Sequence, residues 1–152
     1  MESLAALLHG ALHWVSPSGR VVLDALAVCG GAFGTARFFA VRLGFRDRHH
    51  LAHALAADHL PPLQELASWI RALTWVIRWE LGRTALCRLA LEAGADPAAY
   101  YRTVKRLTGT GWSEVRHRGI AWLLERLVDR CQVGGAHRGT SAEDEQLMGI
   151  TA

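Results

Sequence analysis

Cysteine and proline are scarce in this chain of 152 residues, and each scarcity excludes something. Three cysteines, Cys29, Cys87 and Cys131, are odd in number and far apart, which rules out a disulfide framework or a zinc cage and suggests a reducing compartment with buried thiols. Four prolines leave long stretches free to form helix. Val, Ile and Thr are sparse and no sustained period-two alternation occurs, so sheet architectures are excluded. No apolar run is long enough for a bilayer: the stretch from Val21 to Phe45 is interrupted by Asp24, Arg37 and Arg42. The N-terminus, Met1-Glu2, opens without the basic run of a signal peptide. The expectation is a soluble, cytoplasmic protein that needs no membrane.

Chemistry-bearing motifs are also missing. Gly30-Gly31-Ala32-Phe33-Gly34 has neither the spacing nor the lysine of a phosphate loop, and there is no nucleophile elbow. His9 and His13, like His49 and His53, stand four apart on one helix face. No carboxylate or cysteine lies at ligand spacing beside either pair, so neither metal nor cofactor is expected. Nothing in the sequence sets up catalysis.

What the chain does have is apolar content of 51%, rich in alanine and leucine, with abundant arginine. That composition builds a helical core for one domain, or for two small lobes sharing one. The total charge of +3 is modest, but its distribution is not. From Ala98 to Arg118, five basic residues (Arg102, Lys105, Arg106, Arg116, Arg118) face Glu114 alone, net +4 in 21 residues. The tail turns acidic at Glu143-Asp144-Glu145.

A repeat organises the middle of the chain. Ala36 to Asp47 followed by Arg48 to Leu55 is matched in pattern by Leu86 to Asp96 followed by Pro97 to Arg106. Ala40 and Gly44 recur as Ala90 and Gly94 at an offset of 50. Past a turn one residue shorter, the offset becomes 49: Asp47 matches Asp96, Leu51 matches Tyr100, Leu55 matches Val104 and Glu65 matches Glu114. Each copy has the form of helix, tight turn, helix.

Periodicity and punctuation place the elements. A helix from Ser3 to Val15 carries Leu4, Leu7, Leu8, Leu12 and Val15 on one stripe, and Ser16-Pro17-Ser18-Gly19 breaks it. A second helix runs from Arg20 to Cys29 and stops at Gly30-Gly31. Asp47 and Asp96 cap the second helices of the two repeat units, the latter with Pro97 at the first helical position. Between the units, Leu63, Leu66, Trp69, Ile70, Leu73, Val76 and Ile77 define a helix from Pro62 to Glu80, about 27 Å long. A last helix from Ser113 to Arg130 turns Val115, Ile120, Leu123, Leu124 and Leu127 inward, and a frayed tail follows from Gln132. The fold expected is all-α: an N-terminal helix in residues 1–19, helix-turn-helix subdomains in 20–61 and 82–131, a long linker helix in 62–81, and a disordered tail in 132–152. Of six tryptophans most belong in the core, whereas Trp75 and Trp79 lie partly off the linker stripe and suggest a protein contact surface.

The helix after Asp96 turns Tyr100, Val104 and Leu107 to the interior, leaving Ala98, Tyr101, Arg102, Lys105 and Arg106 outside. Small residues early, an arginine midway and cations late suit a major groove, with Arg102 bidentate to guanine and Lys105 and Arg106 on phosphates. In the first copy the exposed set is Arg46, Arg48, His49, Ala52 and His53, with Ala56 and Ala57 where the basic end would be.

These two units resemble the double helix-turn-helix DNA-binding domain of the AraC/XylS transcription regulators. Leu89-Ala90, Ala93-Gly94, Tyr100, Arg102, Val104-Lys105-Arg106, Thr108-Gly109, Ser113-Glu114 and Arg116 fall where that family's signature has its usual residue types. Gly44-Phe45, Leu51, Leu55 and Pro62 form a looser counterpart. The resemblance spans Arg20 to Arg130. It implies two reading helices entering successive major grooves about 34 Å apart, with His49, Ala52, His53, Ala98, Tyr101 and Arg102 at base-reading positions. Arg46, Arg48, Lys105, Arg106, Arg116 and Arg118 then serve the phosphates. Trp112 stands where the family has proline, and only residues 1–19 precede the match, so no sensor domain is expected. The function this leads to is a sequence-specific regulator of transcription bound to double-stranded DNA, partnered by RNA polymerase or another regulator. The alternative is a protein-interaction module that keeps the helix-turn-helix fold without reading DNA.

Overall fold

Serine, threonine and aspartate side chains start five of the eight helices in the computed structural model, which describes residues 3–148, with side chains to 135. α1 (Leu4–Ala11) is capped by Ser3, α2 (Pro17–Val28) by Ser16, α3 (Ala36–Arg42) by Thr35, α4 (Arg48–Ala57) by Asp47 and α7 (Pro97–Thr108) by Asp96. In each, a side-chain oxygen accepts a first-turn N–H that has no partner within the helix. α5 (Leu63–Gly82), α6 (Leu86–Glu92) and α8 (Trp112–Met148) complete the fold. Among the described residues there is no strand, so the fold is all-α.

Several sequence expectations need correction. Ser16-Pro17 does not merely end the first helix. Ser16 accepts the Gly19 N–H at 3.2 Å and Pro17 occupies the first helical position, so the pair opens α2, and a boundary at residue 19 falls inside that helix. The last helix is not straight, because Gly119 (φ 85°, ψ −176°) kinks it. Nor does it fray at Gln132: it continues to Met148. No proline interrupts 120–148, so no residue there removes a helical N–H. Residues 149–152 of the expected tail lie outside the described residues.

One core joins all these elements, running from Leu8 and Leu12 through Leu51, Leu55 and Leu73 to Val104, Val115 and Leu127. α5 is its centre. It packs against α2, α6, α7 and α8, and its buried set includes Ala67, Ser68, Ala72 and Trp75 beside the expected stripe. Trp75 is therefore no contact surface: it is buried and stacks on Tyr100 of α7, ring centroids 4.1 Å apart. α1 packs on α2 and α8, paired to α2 through His9 Nε2 and Asp24 at 2.7 Å. Asp58, at the C-terminus of α4 and buried, accepts the Ser16 hydroxyl at 2.7 Å and the Ser16 N–H at 3.2 Å, and its carbonyl accepts the Trp14 indole N–H. This network fixes the end of α4 to the start of α2. A Cβ at Gly19 would collide with the Asp58 carboxylate, so the close approach requires glycine.

Candidate nucleic-acid interface

The repeat seen in the sequence is reproduced as a repeat of hydrogen bonds. In the first unit α3 ends with Leu43 N–H donating to Phe39 O, Gly44 N–H to Val41 O and Phe45 N–H to Ala40 O at 2.9 Å. In the second, Ala93 N–H donates to Leu89 O, Gly94 N–H to Leu91 O and Ala95 N–H to Ala90 O at 2.9 Å. Each turn needs a left-handed residue, supplied by Gly44 (φ 86°) and Gly94 (φ 67°). Ala40 and Ala90 are fully buried where the two helices of each unit meet. The caps differ by one position, Asp47 accepting from His50 N–H and Asp96 from Ala98 N–H.

α4 buries Leu51 and Leu55, and α7 buries Val104 while half-burying Tyr100 and Leu107. The opposite faces are open. His49, Ala52, His53, Ala98, Tyr101 and Arg102 are all exposed, as are Arg46, Arg48, Lys105, Arg106, Arg116 and Arg118. Ala98, Arg102 and Lys105 stand at i, i+4 and i+7 along one stripe of α7. Lys105 and Arg106 occupy its last turn, where cations complement the helix dipole before Gly109 closes it. α4 has no basic residue in its last turn.

The cations are in different states. Arg48, Lys105 and Arg106 extend without a hydrogen bond or ion pair among the described residues. Arg102 lies 3.6 Å from Asp96, an exposed pair that is easily exchanged for another acceptor. Arg46 holds Asp47 at 3.1 Å. The His50 N–H, with Arg46 beside it, keeps the Asp47 carboxyl below its ordinary range. His50 Nδ1 accepts the Arg46 N–H, tying this exposed ring to the turn. Arg116 and Arg118 are not gathered with the α7 set. They belong to α8, where Arg116 covers the Trp79 ring at 4.6 Å and Arg118 binds Glu114 at 2.6 Å. The Arg118 hydrogen bond lowers the pKa of Glu114.

Sequence reasoning missed the arginine–indole clusters. Trp79 lies between Arg83 and Arg116, and Trp122 between Arg118 and Arg126. A four-residue spacing from Trp79 to Arg83, and on both sides of Trp122, is the local signal that discloses them. The thiols also differ from expectation: Cys131 is buried, Cys29 half-buried and Cys87 exposed, because Cys87 sits on the outer side of the short α6. Burial pushes the Cys131 thiol up to about 11. Among the described residues, no three His, Cys, Asp or Glu side chains converge as metal ligands. None of the helices there is long and apolar enough to cross a membrane. Compared with family models, with curated proteins and with solved structures, the chain finds no match in any of the three.

Proposed function

We propose that this chain is a sequence-specific, double-stranded DNA-binding regulator of transcription that inserts α4 and α7 into successive major grooves. The observation that carries the proposal is the hydrogen-bond pattern shared by the two helix ends, each followed by an aspartate-capped helix with an exposed outer face. The resemblance to the AraC/XylS domain supports the same assignment. Arg102 reads a guanine edge, and Ala98 admits the helix deeply enough for Tyr101 to approach bases. Lys105 and Arg106 neutralise phosphates beside it, whereas Arg116 and Arg118 reach a phosphate only by leaving Trp79 and Glu114. α4 reads through His49, Ala52 and His53, anchored by Arg46 and Arg48, and contributes less affinity because its last turn lacks cations. RNA polymerase or a second regulator completes the regulatory complex.

Selection from random duplexes, followed by titration of the selected site, tests this. Arg102→Ala is expected to cost about 1–3 kcal/mol on that site and to relax preference at one base pair. Lys105→Ala is expected to weaken all duplexes alike and to reduce the salt slope by about 1. A protein that binds no duplex at low salt refutes the assignment. The exposed apolar residues Phe38, Val41 and Leu91 on the first helices of the units favour a second reading, a protein-interaction module. A stoichiometric protein partner combined with sequence-indifferent DNA affinity would establish that reading instead.

A further inference from the structure

A cleft lies where α5, α7 and α8 meet, with a volume of about 650 Å³. Its polar wall is Gln64, Glu65, Ser68, Arg71, Arg106 and Arg130, and its apolar wall is Trp69 and Leu107. Three guanidinium groups thus share the space with one carboxylate. Glu65 is fully committed: Arg130 grips it with two hydrogen bonds, at 2.6 and 2.9 Å. Arg71 spends one N–H on the Gly31 carbonyl at 3.1 Å, and Arg106 has no ion pair among the described residues. The cleft therefore carries an uncompensated charge of about two positive units, since each guanidinium stays protonated.

Such an arrangement suits an anion. Guanidinium forks match carboxylate and phosphate oxygens in pairs of hydrogen bonds, and the volume is that of a small-molecule site. We infer that this cleft binds a small organic anion bearing at least two negative charges, carboxylate or phosphate, with Arg106 and Arg71 as its principal ligands. Gln64 supplies an amide from α5, where the Ser68 hydroxyl is already donated to the Gln64 carbonyl at 3.0 Å, while Trp69 and Leu107 floor the site for the anion's carbon skeleton. Arg130, held by Glu65, sets the rim and adds charge without needing to move.

The binding is independent of any role for α7 in reading DNA. Its consequence is not: where α7 is a reading helix, an anion that holds Arg106 withdraws it from a phosphate and lowers duplex affinity.

Calorimetric titration of the full chain with citrate, and separately with inorganic phosphate, at constant ionic strength tests the inference. Saturable one-to-one binding is expected for one of the two, and the one that binds distinguishes a polycarboxylate from a phosphate ligand. Arg106→Gln should weaken it at least about tenfold, because a charge-assisted fork is lost. Glu65→Gln should tighten it, because the sole carboxylate of the cleft disappears. Arg48→Gln, on α4, should leave it unchanged. No saturation with either probe, an Arg106→Gln variant that binds like the wild type, or an equal loss in Arg48→Gln each overturns the inference. Arg106 is exposed, so its substitution decides the matter even where Glu65→Gln proves poorly folded. Failure to bind duplex DNA in the preceding experiment would leave this titration, performed without DNA, as it stands.

Discussion

Asp47 and Asp96 do the same work with different reach. Asp96 accepts the second helical N–H and Asp47 the third, and both positions are legible in the sequence because a cap acts on its own first turn. The acid response of Asp47 follows from its shift. Its carboxyl, drawn down first by the His50 N–H, has a lower pKa folded than the ordinary 3.8. Its contribution is therefore present above that value and lost as pH falls through the depressed folded pKa. In Asp47→Asn that charge-dependent part is absent at every pH. Urea midpoints of the two proteins should differ at pH 7 and converge below pH 3.8. A difference that persists unchanged into acid would contradict the assignment. Other single-residue roles had no such local signature. Glu65 and Glu114 occupy the third position of their helices as the repeat requires, yet one binds Arg130, 65 residues away, and the other Arg118 on the next turn.

Elements were readable where one apolar stripe and a terminal signal coincide, as in α4 and α7. Reading failed where a signal has two meanings. Ser16-Pro17 serves equally to break a helix and to start one; the Gly19 N–H on the Ser16 hydroxyl shows that it starts α2, and the Asp58 carboxylate holds Ser16 in place. Gly119 is the second case. Within a periodic run a glycine passes as a weak helical residue, yet here it takes a conformation that other residues avoid. The kink is stabilised from outside the helix: Glu80 Oε1, on α5, accepts the Ile120 N–H at 3.0 Å. An acceptor 40 positions away is invisible to any local pattern. A Cβ at Gly119 would lie 2.9 Å from that same oxygen. Gly119→Ala should therefore lose about 1–3 kcal/mol, against the gain that alanine gives in a regular helix. Glu80→Gln, which keeps an acceptor, should lose less. Thermal unfolding separates the outcomes, and a Gly119→Ala protein that melts higher than the wild type would mean the kink is not required.

At the scale of the whole molecule, the two repeat units are not independent lobes strung on a linker. The stripe of α5 predicts a helix with one buried face, which leaves Trp75 at the surface. A helix surrounded by α2, α6, α7 and α8 buries most of its circumference, and no single-stripe pattern expresses that. Trp75 stacked on Tyr100 is thus the joint between α5 and α7, and it sets where the outer face of α7 is presented. Truncation to alanine at this buried site should cost about 3–5 kcal/mol, while Trp75→Phe should retain much of the stability because a stacked ring remains. Because one core runs through both units, that loss must be shared: backbone circular dichroism and the fluorescence of the remaining tryptophans should report a single, coincident urea transition shifted to lower concentration. Two separated transitions, with α1–α4 outlasting α6–α8, would show that the units fold apart and that α5 merely tethers them. With a shared core, substitutions beneath α4 should instead weaken α7 as well, because the apolar side chains of both helices belong to one cluster.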